Sequence, residues 1–207
     1  MPKHPNPTRL SPTLTCCLRF CLLLAVLPSM SFTLRAQSTA AAPFHLEAAG
    51  DFNYVHSNAP PGGCGCFSLF GGSASGAYKF RPHLAVVGEF AMINDNNVEN
   101  TGHILTITTA LAGVRVPYPL HATRYAPYAQ VLIGLSHDSG MIAQVNPSGP
   151  SSYNAFAASI GGGLDIRLTH RLSLRPAEVD YLVTTFPNRA ANHQNNTRVS
   201  SGLVVHF

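Results

Sequence analysis

The residues best suited to chemistry in this chain are charged ones set at alternate positions within otherwise apolar stretches. They are Glu47, Asp51, Lys79, Glu89, Arg115, Asp165, Arg167, Arg175, Glu178, Asp180 and Arg198. Six are acidic and five basic, so on one shared face they can pair almost completely. Left unpaired in a low-dielectric interior, each would cost roughly several kcal/mol. Two chemistries follow from such a set: a salt-bridge network that fills a restricted interior, or a charged lining that selects ions.

Other motifs are weaker. His137-Asp138-Ser139 holds the residue types of a hydrolase, but adjacent residues on a strand point to opposite sides and cannot assemble a triad. Cys64-Gly65-Cys66 follows Pro60-Pro61-Gly62-Gly63, and the two thiols could form a tight disulfide or bind a soft metal. They lack the spacing of a zinc site. Gly161-Gly162-Gly163 is no nucleotide loop, because no helix follows it. Glycines in such a strand make room for a bend or a neighbouring ring. The histidines are scattered, and no residue set calls for a cofactor, a metal or a catalytic role.

The elements that would carry the charges read as strands. Pro and Gly are too frequent for long helices, and β-branched and aromatic residues alternate with small or polar ones. Eight strands are predicted: Phe44–His56, Phe70–Phe80, Leu84–Ile93, Ile104–Val116, Tyr128–Ser136, Ala155–Leu168, Leu172–Thr185 and Thr197–Phe207. The first puts Leu46, Ala48, Phe52 and Tyr54 on one face and Glu47, Asp51 and Asn53 on the other. The fourth is the hardest to orient, because both its faces are fairly apolar. In the seventh, Pro176 implies a one-residue bulge that keeps Arg175, Glu178 and Asp180 on the same side. Connections after strands one, three, five and seven are expected to be long, about residues 57–69, 94–103, 137–154 and 186–196. The others are short or intermediate.

Before residue 44 the chain is different. Lys3, Arg9 and Arg19 precede the apolar run Phe20–Leu27, and Leu34-Arg35-Ala36-Gln37 follows. That is the layout of a signal peptide over residues 1–36, cleaved after Ala36, with a short leader at 37–43 and the strand-rich domain at 44–207. The apolar run is too short to cross a bilayer, which takes about 20 residues. Lys3, Arg9, Arg19 and Arg35 account for the formal +4, so nine basic and nine acidic side chains remain beyond the signal. A basic footprint for nucleic acid is therefore absent. Beyond residue 36 no apolar run suits a membrane helix, and the other backbone arrangement that satisfies itself in lipid is a closed barrel.

The C-terminal stretch Asn196-Thr197-Arg198-Val199-Ser200-Ser201-Gly202-Leu203-Val204-Val205-His206-Phe207 resembles the last strand of bacterial outer-membrane β-barrels. Gly162 to Arg167, through Leu174-Arg175-Pro176 to Asp180-Tyr181-Leu182, is similar to the final hairpin of small barrels of the OmpA transmembrane-domain type. The resemblance implies an all-β, eight-stranded antiparallel up-and-down transmembrane barrel in the cell outer membrane, with both termini periplasmic. It also implies that Phe207, with Val205 and Leu203, is the signal read by the barrel-assembly machinery. Outer-membrane lipid is then the other expected partner, with no nucleic acid, and any surface partner stays unidentified. There is no Trp, so Phe44, Phe80 and Phe207, with Tyr54, Phe90, Phe156 and Tyr181, would supply the aromatic girdles. The function expected is structural or surface interaction, without catalysis, around a lumen filled by side chains. A narrow porin, an outer-membrane lipid-modifying enzyme and a soluble ligand-binding barrel with reversed faces are the alternatives.

Overall fold

The computed structural model describes residues 46–57, 67–98, 103–118, 120, 124–140, 152–186 and 193–207. Within them lie eight strands: β1 (Leu46–Ser57), β2 (Phe67–Arg81), β3 (Leu84–Val98), β4 (His103–Pro117), β5 (Tyr125–Gly140), β6 (Ser152–Arg167), β7 (Leu172–Thr184) and β8 (Gln194–His206). Each pairs antiparallel with its neighbours in sequence, and β1 pairs with β8 from Glu47↔His206 to Ser57↔Asn196, which closes the barrel. The Phe207 N–H donates to the Leu46 carbonyl at 2.9 Å, so the start of β1 and the chain end share one rim, the terminal rim.

Side-chain parity holds around the barrel. Phe52, Leu135 and Ile160 are 59%, 65% and 59% exposed on the outer wall, while Leu69, Leu105 and Leu132 are fully enclosed. An apolar outer wall is stable only against lipid, so the alternation that makes these strands also dictates the surrounding solvent. Of the expected girdle, Phe80, Phe90, Phe156, Tyr181 and Phe207 stand on that wall; Phe44 lies outside the described residues.

The strands are longer than the sequence pattern suggests. β3 runs on through Asn94 and Asp95 to Val98, pairing Asn94↔Thr106 and Asp95↔Leu105, so only residues 99–102 separate it from β4. The long connection expected there is absent. β6 likewise begins at Ser152 and β8 at Gln194. Polar residues read as loop because polarity usually means water, yet these strands have 12 to 16 residues against the about ten needed to cross. Beyond the apolar band the ladder continues with solvated side chains.

The bulge falls at Pro176. The β7–β8 register jumps from Arg175↔Gly202 to Glu178↔Ser200, and Pro176 and Ala177 are both exposed. One extra residue there lets Arg175 and Glu178 face inward together.

The lumen is stratified. Towards the rim opposite Phe207 an apolar cluster of Val55, Phe67, Leu69, Ile93, Leu105 and Ile107 packs with Phe186, just past β7, beside the buried polar side chains of Ser57, Asp138, Thr184 and Asn196. A second apolar cluster joins Ala77, Val87, Leu111, Leu132 and Leu182. This explains the two-sided apolarity of β4: Ile104, Val114 and Val116 face out, while Leu105, Ile107 and Leu111 face in.

Ile160→Arg places a charge on the outer wall. It should lower stability in lipid vesicles by about 2–4 kcal/mol if Ile160 lies near the bilayer midplane. Urea-dependent folding into vesicles measures this, and a loss no greater than that of Arg171→Ala in the β6–β7 turn would mean the faces are reversed.

Candidate functional site

Three guanidiniums organise the charged part of the lumen. Arg198 of β8 sits opposite Asp180 in the β7–β8 ladder and binds its carboxylate at 2.8 and 3.2 Å. Across the lumen it makes a two-point contact with Glu89 of β3, at 2.5 and 3.1 Å. Arg175 of β7 reaches Asp165 of β6 at 2.9 Å, Asp51 of β1 at 3.3 Å and Glu178 at 3.3 Å. Arg115 of β4 binds its ladder partner Gln130 at 2.8 and 3.0 Å and lies 3.8 Å from Glu178.

Glu178 is the hub. Arg175, Arg115 and Arg198 all lie within 4 Å of its oxygens, Gln130 donates to it at 3.1 Å, and the Tyr128 hydroxyl also donates. The Tyr128 ring lies under two of the guanidiniums, 4.2 Å from Arg115 and 5.0 Å from Arg175, in cation–π geometry. Glycine makes these approaches possible. A Cβ at Gly163 would collide with the Tyr128 ring, and one at Gly161 with the Asp180 carboxylate. The Gly161–Gly163 run is thus the clearance for the hub.

A smaller cluster lies at the terminal rim. The Lys79 ammonium pairs with Glu47, the ring of His206 meets Glu47 at 3.1 Å, and Ser173 meets the other ring nitrogen at 2.8 Å.

The structure therefore brings ten of the eleven sequence-read charges into these two clusters. Arg167 joins neither. It is the last residue of β6, one inward position beyond Asp165, where the wall ends; its side chain is exposed and has no ion pair among the described residues. Tyr128, Ser173 and His206 escaped the sequence reading as partners, although their inward parity placed them. Phe186 had no such signal, since it lies just beyond its strand. His137 points outward, hydrogen-bonded to Asn154 at 2.7 Å, and Asp138 is fully buried inside, so the two do not converge. Cys64, Cys66, the signal peptide and the leader lie outside the described residues. Among the described residues no group of three His, Cys, Asp or Glu side chains has metal-site geometry.

Chemically, this arrangement locks. Every charged group at the hub already has opposite charges within reach, and apolar side chains pack the lumen beyond it.

A family model for the outer membrane protein beta-barrel domain matches residues 21–207. This chain belongs to that family. Membership places it in the outer membrane and agrees with the wall and closure described above. Among solved structures, the barrel is similar to Neisserial surface protein A at a TM-score of 0.58 and 15% identity, covering 78% of this chain and 97% of that one. It is also similar to Ail, the attachment invasion locus protein of Yersinia pestis, at 0.51 and 14%, covering 79% and 99%. At such identities the likeness shows the fold that family members share. No curated protein matches the sequence significantly.

Arg198→Met removes the guanidinium between Glu89 and Asp180 and leaves both carboxylates buried. Stability should fall by about 3–5 kcal/mol in vesicle unfolding. Adding Glu89→Gln should restore part of the loss, as coupled neighbours require. Asp165→Asn should cost less, about 1–3 kcal/mol, because Arg175 keeps Asp51 and Glu178.

Proposed function

We propose that this family member is a non-catalytic outer-membrane barrel with a closed lumen, acting structurally or through the surfaces at its two rims. The observation that carries the reading is the double filling of the interior. At one level Glu178 and its three arginines occupy the lumen. At another, Leu69, Leu105, Ile107 and Phe186 pack into an apolar plug. Eight strands leave an interior just wide enough for side chains, so either layer alone interrupts a water path. An ion would have to displace paired charges and then pass a tightly packed apolar cluster in the same narrow interior.

The reading includes an address and an orientation. Residues 1–36 act as the export signal, and the rim bearing the start of β1 and Phe207 faces the periplasm, as short turns and chain ends do in such barrels. Phe207 then ends the outward row Leu203, Val205, Phe207, which the barrel-assembly machinery engages, and lipid covers the wall. A lipid-modifying activity would need a nucleophile and base converging at a rim; the separation of His137 from Asp138 argues against that pair.

Two measurements test this. Purified protein in planar bilayers should give no sustained, uniform conductance, and a reproducible ion-selective current would favour a narrow porin. Deleting Phe207 should sharply lower the fraction showing heat-modified gel migration while export continues; an unchanged folded fraction would remove the assembly role.

A further inference from the structure

The arginines outside the hub are arranged quite differently. Arg124, just before β5, and Arg167, the last residue of β6, are neighbours across the ladder, with the Arg167 N–H donating to the Arg124 carbonyl at 2.9 Å. Like charges opposed across a ladder repel, so an anion between or beside them is favoured. Neither guanidinium has an ion pair among the described residues. The nearby carboxylates are engaged: Asp165 by Arg175 at 2.9 Å, and Glu47 by Lys79 and His206.

Both arginines line one cavity at the terminal mouth of the barrel. Lys79, Glu47, His206 and Tyr128 line it too. Three guanidiniums (Arg115, Arg124 and Arg167) and the Lys79 ammonium against the carboxylates of Glu47 and Asp165 leave an excess of two positive charges around this space. Its lining is drawn from β1, β2 and β4 to β8, which sets it inside the ring of strand ends. The concentration is a matter of placement: Lys79, Arg81, Arg124, Arg167 and Arg171 all fall at this rim, with Glu47 the one side-chain carboxylate outside the hub network there among the described residues.

We propose that this mouth binds a phosphate group, held by the guanidiniums of Arg124 and Arg167 with Lys79 on the same cavity. Guanidinium forks match the oxygens of phosphate two at a time, and the excess of two charges suits a dianion better than a single carboxylate. The phosphate can be free or part of a phospholipid headgroup. The proposal rests on the orientation given above only for which compartment supplies the ligand.

The test uses the full folded barrel in a phosphate-free maltoside detergent, following the arginine Nε–Hε resonances by NMR. Inorganic phosphate should shift the signals of two arginines saturably, and sodium chloride at equal ionic strength should not. Arg124→Gln/Arg167→Gln should raise the half-saturating phosphate concentration at least tenfold. Arg171→Gln, in the turn outside the cavity, should leave it unchanged. Heat-modified migration establishes that the double variant is folded. In phospholipid nanodiscs without free phosphate, shifts already present and unaltered by added phosphate identify a headgroup as the source; a renewed titration identifies free phosphate. If phosphate acts only as chloride does in detergent, and the nanodisc signals match those in detergent, the proposal is overturned. A conducting barrel would sink the closed-lumen reading and leave this titration intact, so the two failures are distinguishable.

Discussion

A single buried carboxylate holds the polar interior of this barrel together. Glu178 lies within 4 Å of guanidiniums from β4, β7 and β8, and those arginines extend to carboxylates on β1, β3 and β6. Taking so many charges out of water is costly, and attraction offsets the cost only when every lone pair and proton finds a partner. The bulge at Pro176 follows from this requirement. In a regular strand Arg175 and Glu178, three apart, would face opposite sides. The extra residue turns both inward, and proline suits the spot because it has no N–H to offer the ladder. The glycines of β6 follow as well, since the hub needs a tyrosine ring and a carboxylate pressed against that strand's backbone.

The interior uses two unlike fillings. Near the hub, charges are neutralised by geometry. Towards the other rim, Val55, Leu69, Leu105 and Ile107 pack as an apolar cluster, with a few buried polar side chains such as Asp138 and Asn196 beside it. Each solution suits its strands: small residues such as Gly161 and Gly163 leave space for long charged side chains, whereas leucine and isoleucine on β2 and β4 occupy the width themselves. Dispersion contacts in the plug and ion pairs in the hub respond differently to salt and temperature, so the two halves of the interior are held by separable forces.

Much of this was legible in the sequence, for one reason: strand parity has a period of two and survives any error in strand length. Leu46, Glu47 and Asp51 can be assigned to faces without knowing where β1 ends, and the bulge can be placed because Pro176 breaks the ladder. What parity cannot supply is stagger. Glu89 and Arg198 share a face in any reading, but their contact depends on strand tilt and on shear accumulated around the barrel, across 109 residues of chain. Strand ends were obscured for another reason. Asn94, Asp95 and Asn154 look like loop residues, yet the ladder continues through them beyond the apolar band. The inward leucines of β4 blurred its alternation because the lumen there is itself apolar. Arg167 shares the parity of Asp165, but parity does not reveal where the wall stops.

The same residue type therefore serves in two dielectric settings. Arg175 and Arg198, almost wholly buried, are committed to carboxylates, and a change at either is felt as stability. Arg124 and Arg167 stand where water reaches. There the Coulomb cost of opposing like charges is small enough for the fold to tolerate, and neither charge is used to hold the barrel together. A side chain that already neutralises a buried partner cannot also bind a passing ligand without breaking the interior. In a barrel this narrow, binding chemistry is accordingly driven out of the lumen and onto the rims, where the wall ends and Arg124 and Arg167 hold no buried partner.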